Sequence, residues 1–92
     1  KGIEISDLKS KIDYAKGNAS LVVTGTLVNQ NTTKRDVPNI VIVIEDSKEI
    51  VLEQKILNFG NQTFDYLERK DFKLRFNNYP KEASNIVVEL RP

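Results

Sequence analysis

Cysteine, histidine, methionine and tryptophan are all absent from the 92 residues. Without cysteine there is no disulfide and no thiol nucleophile. Without histidine there is no Ser-His-Asp triad, and the ordinary zinc ligand sets are gone as well. Glycine and proline are scarce, at four and three residues, and apolar residues reach 39%, so the composition is not that of a disordered or low-complexity chain. Neither sign of charge dominates: 14 Lys and Arg stand against 13 Asp and Glu. That balance argues against a dedicated nucleic-acid binder, which carries a clearly basic face. The longest apolar run, Ile40-Val41-Ile42-Val43-Ile44, is far short of the roughly 20 residues a bilayer-spanning helix needs. No signal-peptide pattern opens the chain. The missing methionine, with Lys1 first, reads as a piece of a longer protein. Membrane attachment is therefore expected only through a segment absent from this chain. The many Asn, Ile and Lys residues suggest an AT-rich coding sequence and a bacterial source.

What the chain does have is period-2 alternation, with little helical periodicity. The first segment alternates at Ile3 and Ile5, breaks near Asp7-Leu8, and continues with Ile12 and Tyr14. Lys16-Gly17-Asn18 reads as a turn. The clearest strand runs from Leu21 to Asn29, with Leu21, Val23, Gly25 and Leu27 on one face and Val22, Thr24, Thr26 and Val28 on the other. Asn29 to Asp36 is polar throughout, with no apolar residue, and reads as a loop. Pro38 then opens a strand from Ile40 to Glu45, where a missing N–H does least harm. Asp46-Ser47-Lys48-Glu49 is a tight connection to a fourth strand, Ile50 to Leu57. After a loop at residues 58–62, a fifth strand spans Phe72 to Phe76 and a last one Asn85 to Leu90, with a single helical turn conceivable at Lys81 to Ser84. The pattern predicts one domain over residues 1–92, an all-β, immunoglobulin-like antiparallel β-sandwich of six or seven strands, with a barrel as the alternative. Parity predicts the best-buried residues as Leu21, Val23, Leu27, Ile40, Ile42, Ile44, Leu52, Phe72, Leu74, Phe76, Ile86 and Val88. A glycine inside a strand calls for a local reason, and an aromatic ring over Gly25, from Phe64 or Phe72, supplies one. Asn29 is expected to bond the backbone of the loop that follows it.

Several stretches resemble a known family. They are Leu21-Val22-Val23-Thr24-Gly25-Thr26-Leu27-Val28-Asn29, Pro38 ahead of Ile40 to Ile44, Asp46 at the hairpin, Leu67 with Phe72, and Tyr79-Pro80-Lys81-Glu82-Ala83 followed by Ile86 to Leu90. Together they are similar to the C-terminal β-sandwich domain of unknown function in bacterial proteins that carry an N-terminal zinc ribbon and one transmembrane segment. That domain is related in pattern to FxLYD-type immunoglobulin-like modules. Two positions depart from the family: Glu49 stands where a Gly is usual, and Arg69-Lys70 where Pro-Gly is usual. The resemblance implies the fold and an extracytoplasmic side of a bacterial membrane, and no activity.

No residue set asks to be catalytic, and no cofactor is implied. Glu45 and Asp46 are adjacent, so on a strand they face opposite ways and cannot work as an acid–base pair. Asp46, Ser47 and Glu49 offer oxygens to a calcium ion, but without the further carboxylates and the glycine of a calcium loop; a turn-capping Asp46 is the plainer reading. Arg69, Lys73 and Arg75 share one face of the fifth strand. The aromatics Phe72 and Phe76 have the opposite parity, so the stacking residues of a nucleic-acid platform are missing there. Sequons at Asn18, Asn31 and Asn61 fall in or beside loops and are read as turn chemistry. The one feature a one-sided sheet does not require is the doubly apolar strand Ile40 to Ile44. With Ile40, Ile42 and Ile44 in the core, Val41 and Val43 are expected outside, as are Val22 and Val28. These four residues are the candidate interaction face, for a protein partner or for self-association. The function expected is a non-enzymatic interaction or structural module. The alternative is a carbohydrate- or ligand-binding accessory module, whose stacking residues would come from Tyr14, Phe59, Tyr66 and Tyr79.

Overall fold

A computed structural model describes residues 2–92, the side chain of Lys16 apart. Lys1, where the inferred fragment begins, lies outside the described residues. The fold is all-β with three antiparallel sheets. The chain divides into two compact units. One holds the residues up to Asp36 together with Gln62–Tyr79; the other holds Val37–Asn61 and Pro80–Pro92.

In the first unit, β1 (Ile3–Asp13), β2 (Ser20–Asn29) and β7 (Arg69–Phe76) form a sheet of order β1-β2-β7. Two short strands, β3 (Arg35–Asp36) and β6 (Thr63–Phe64), pair with each other. The predicted face of β2 is in place, with Leu21 opposite Phe76, Val23 opposite Leu74 and Gly25 opposite Phe72. The ring over Gly25 is Phe72: a Cβ on that glycine would meet the ring at 2.6 and 2.8 Å. The break in β1 is a bulge. Register steps from Ser6 opposite Thr26 to Lys9 opposite Thr24, leaving Asp7 and Leu8 to face Gly25 alone. Asp7 takes a φ of 53° there. The extra residue restores the apolar face, so Ile5 stands opposite Leu27 and Ile12 opposite Leu21. The expected turn at residues 16–18 forms as one 3-10 turn, Ala15–Gly17, with Asn18 N–H donating to the Ala15 carbonyl at 3.2 Å.

In the second unit, β4 (Asn39–Glu45) lies between β5 (Val51–Leu57) and β8 (Asn85–Arg91). Pro38 stands just ahead of β4, where no ladder bond is lost. The stretch after Pro80 closes a turn, Ala83 N–H to the Pro80 carbonyl at 3.2 Å, and no helix forms there.

The core differs from the parity prediction in a systematic way. Leu21, Val23, Leu27, Ile40, Ile42, Ile44, Phe72 and Phe76 are buried as expected, while Leu74, Ile86 and Val88 are half-buried and Leu52 is exposed. The three half-buried residues lie on β7 and β8, each of which has a neighbouring strand on one side only. The central strands β2 and β4 are screened on both flanks and are buried on both faces.

Candidate interaction surface

The four valines of the predicted face are not exposed. Val22 is 4% exposed, Val28 7%, Val41 0% and Val43 8%. The physical reason is the central position of β2 and β4. Directly opposite residues on an antiparallel pair share a face and lie side by side. Val22 therefore lies between Lys11 and Arg75, and Val28 between Glu4 and Arg69. Long charged side chains cover apolar neighbours with their stems while their heads stay in water. Val41 sits between Ile56 and Glu89, and Val43 between Gln54 and Val87. The structure also separates the four: Val22 and Val28 belong to one unit, Val41 and Val43 to the other.

Large apolar side chains are exposed in both units, Leu8, Tyr14, Tyr66 and Leu67 in the first and a group beside Val41 and Val43 in the second. Ile50, Val51 and Ile56 are each more than half exposed, and Leu52 is 36% exposed. Val51 and Ile56 stand on the valine face of the second unit, since Val51 is opposite Glu45 and Ile56 opposite Val41. Buried Val41 and Val43 form the floor, and Ile56 and Val51 rise from the edge strand β5. Parity alone placed Leu52 inward and gave no hint of Ile56. Between the Ile44–Glu53 and Glu45–Val51 pairs the register shifts by one residue, and Leu52 is the extra one. Beyond that bulge Glu53, Lys55 and Leu57 fall on the isoleucine face and Ile56 on the valine face. Alternation in the sequence carries no mark of such a shift.

The hairpin that makes the bulge is built around Asp46. Its Oδ1 accepts the N–H of Lys48 at 2.8 Å and of Ile50 at 2.9 Å. Asp46 N–H donates to the Ile50 carbonyl, and Glu49 N–H to the Asp46 carbonyl, both at 3.0 Å. Glu49 adopts φ 63°, in the left-handed region where glycine is at ease. The carboxylate proposed for calcium is therefore occupied as a turn cap, and no group of three or more acidic side chains among the described residues is placed to hold a metal.

The sheet of the first unit presents a second feature, an open groove of about 480 Å³ lined by Lys9, Ser10, Lys11, Val22, Thr24 and Lys73. Arg75 on the same face pairs with Asp13 at 3.0 Å, and Arg69 with Asp7 at 3.5 Å. Phe72 and Phe76 are buried on the opposite face, so no aromatic ring interleaves with these cations. Tyr14 and Tyr66 are exposed, but at opposite ends of β2. Tyr14 follows the Asp13–Ser20 pair, while the turn holding Tyr66 is bonded to Asn29 through Leu67 N–H at 2.7 Å. At about 3.3 Å per residue the two rings cannot share one sugar platform. Of the sequon asparagines, Asn18 and Asn61 are exposed, whereas the Asn31 side-chain amide donates to Asn29 Oδ1 at 3.0 Å.

Comparison with protein-family models, with curated proteins and with solved structures gave no match.

Proposed function

We propose that this chain is a non-enzymatic interaction module with an immunoglobulin-like β-sandwich fold, acting on the extracytoplasmic side of a bacterial membrane-anchored protein. One observation carries the interaction reading: Val51 and Ile56 stand exposed on an edge strand beside the buried valines of β4. Large apolar side chains grouped at a sheet edge are a recognition feature, whereas single scattered ones need no explanation. The fold reading is supported by the strand order. The chain places β1 and β2 in one sheet, β4 and β5 in another, then β7 in the first and β8 in the second, the alternation of a Greek-key sandwich. The location rests on the family resemblance of the sequence alone. The accessory-module alternative gains nothing from Tyr14 and Tyr66, which lie at opposite ends of β2, and Phe59 and Tyr79 are half-buried.

A photo-reactive residue placed at Ile56, with Lys11 as the control position, tests the reading in intact cells. Protein adducts formed from position 56 and absent from position 11 are expected. No adduct from position 56, or equal labelling from both, contradicts it.

A further inference from the structure

Independently of the β5 edge, we infer that the lysine face of the β1-β2-β7 sheet binds a flexible, non-protein chain bearing successive phosphate groups, one of which seats on Thr24 between Lys9 and Lys73. Thr24 is the one residue of β2 that is not buried. It stands opposite Lys9 on β1 and opposite Lys73 on β7, so the three form one row across one face of the sheet. Two residues along β2, on the same face, Val22 stands between Lys11 and Arg75. Two open grooves, of about 460 and 480 Å³, meet at the Thr24 row, and both are lined by Lys9, Thr24 and Lys73.

The charges around this row are neutralised selectively. Arg75 is paired with Asp13 at 3.0 Å and Arg69 with Asp7 at 3.5 Å. Asp71 accepts the Thr26 hydroxyl at 2.8 Å. Among the described residues, Lys9, Lys11 and Lys73 form no ion pair and no side-chain hydrogen bond, and all three are exposed. Three unpaired like charges on one face of a small sheet focus a positive potential there, which draws anions. Lys9 and Lys73 are two strand spacings apart, about 9–10 Å, and their long stems can lean over Thr24 from either side. A hydroxyl donor on the floor with an ammonium on each flank suits a tetrahedral oxyanion.

The same arrangement selects the occupant. Lys11 lies about 7 Å further along β1 from Lys9, which provides a second charge position and so favours a chain over a lone ion. Asp71, opposite Thr26 in the next row the other way, repels an anion and leaves the Lys11 direction open. The unpaired cations are all ammonium point charges, which suit phosphate, while the arginine forks that grip carboxylates are engaged. That disfavours an acidic peptide. Phe72 and Phe76 are buried on the opposite face, so no ring is there to stack a nucleobase. Val22 and Val28, the apolar residues of β2 on this face, are buried, so they offer a bilayer nothing to anchor in.

Fluorescence anisotropy of an end-labelled inorganic polyphosphate chain, at physiological ionic strength and with circular dichroism as the control for folding, tests this on the 92-residue chain. Saturable binding is expected. K9Q/K73Q should weaken it about tenfold or more and flatten the plot of log K against log salt by about 0.7 per lysine, the value for single-stranded polyanions. K48Q/K81Q, with the same loss of charge in the other unit, should change the affinity by less than about twofold. Thr24→Val removes a hydroxyl and no charge, and should weaken binding about threefold or more. A folded chain without saturable binding overturns the proposal. So does an equal loss in K9Q/K73Q and K48Q/K81Q, or a Thr24→Val variant that binds as before, since either makes the lysines a general charge and not a site. Tighter binding to an oligothymidylate or to phosphatidylglycerol vesicles than to polyphosphate overturns the choice of ligand.

Discussion

At the scale of single residues, three positions carry more of the fold than their size suggests. Asn29 is fully buried, and every polar group it has is engaged. Its Nδ2 lies within 3.1 Å of the Thr33, Phe64 and Asp65 carbonyls, and its Oδ1 accepts from the Asn31 backbone and side chain at 3.0 Å. One residue thus fastens two loops to the end of β2. Asn29→Ala leaves several buried partners unsatisfied and should cost about 3 kcal/mol, read as a fall in Tm of roughly 15 °C. At Gly25 the Phe72 ring occupies the place of a Cβ, so Gly25→Ala should cost about 2 kcal/mol by overpacking, and combining it with Phe72→Leu should cost less than the two changes summed. At Glu49 the backbone is in the left-handed region; Glu49→Gly should stabilise the chain by about 1 kcal/mol in denaturant titration. The first two positions were legible in the sequence, because a strand glycine and an asparagine at a strand end each demand a local partner. The partners Phe64 and Asp65, 35 and more residues away, were not, since they depend on tertiary placement. Glu68 adds a pH-dependent contact. The Asp65 N–H, donated to its carboxylate at 2.9 Å, holds it below the usual 4.5, with desolvation opposing and Lys70 assisting. Its contribution is complete at neutral pH and is lost as pH falls through the lowered value. The stability difference between the chain and Glu68→Gln should therefore shrink on acidification.

At the scale of elements, alternation located every long strand to within a few residues but decided burial poorly. Parity assumes one wet face per strand, and that holds for β5 and β7 better than for the strands between neighbours. On β4 the Ile40–Ile44 run records burial on both faces, and the apolar character of Val41 and Val43 follows from that position. Val41→Thr should accordingly cost about 1–3 kcal/mol, measured as a lower denaturation midpoint, because it puts a hydroxyl in a site without water. A cost within about 0.5 kcal/mol, as at a surface position, contradicts the burial described here. The two bulges set the faces of β1 and β5. The one in β1 shows in the sequence as a broken alternation at Asp7-Leu8. The one in β5 falls at Leu52 within a run where either parity is partly apolar, so the sequence does not reveal it. Exposed Ile56, and with it the proposed interaction surface, depends on that second bulge.

At the scale of the whole molecule, the near-neutral net charge conceals a division. The unit with β1, β2 and β7 holds ten Lys and Arg against seven Asp and Glu, and the unit with β4, β5 and β8 holds four against six. A polyanion would be drawn to the first unit, around Lys9, Lys11 and Lys73, while the exposed apolar row belongs to the second. Total composition cannot show this, because the chain contributes two separate segments to each unit. We propose that the free edge of β5 is the surface through which the protein meets a partner. Photo-crosslinking in intact cells, with the reactive residue moved along the chain, tests this most directly. Protein adducts from the exposed positions 51, 54 and 56, and none from β1 or β7, are the predicted result. Equal labelling from all positions, or protein adducts that form instead around Lys9 to Lys11 and Lys73, would contradict it.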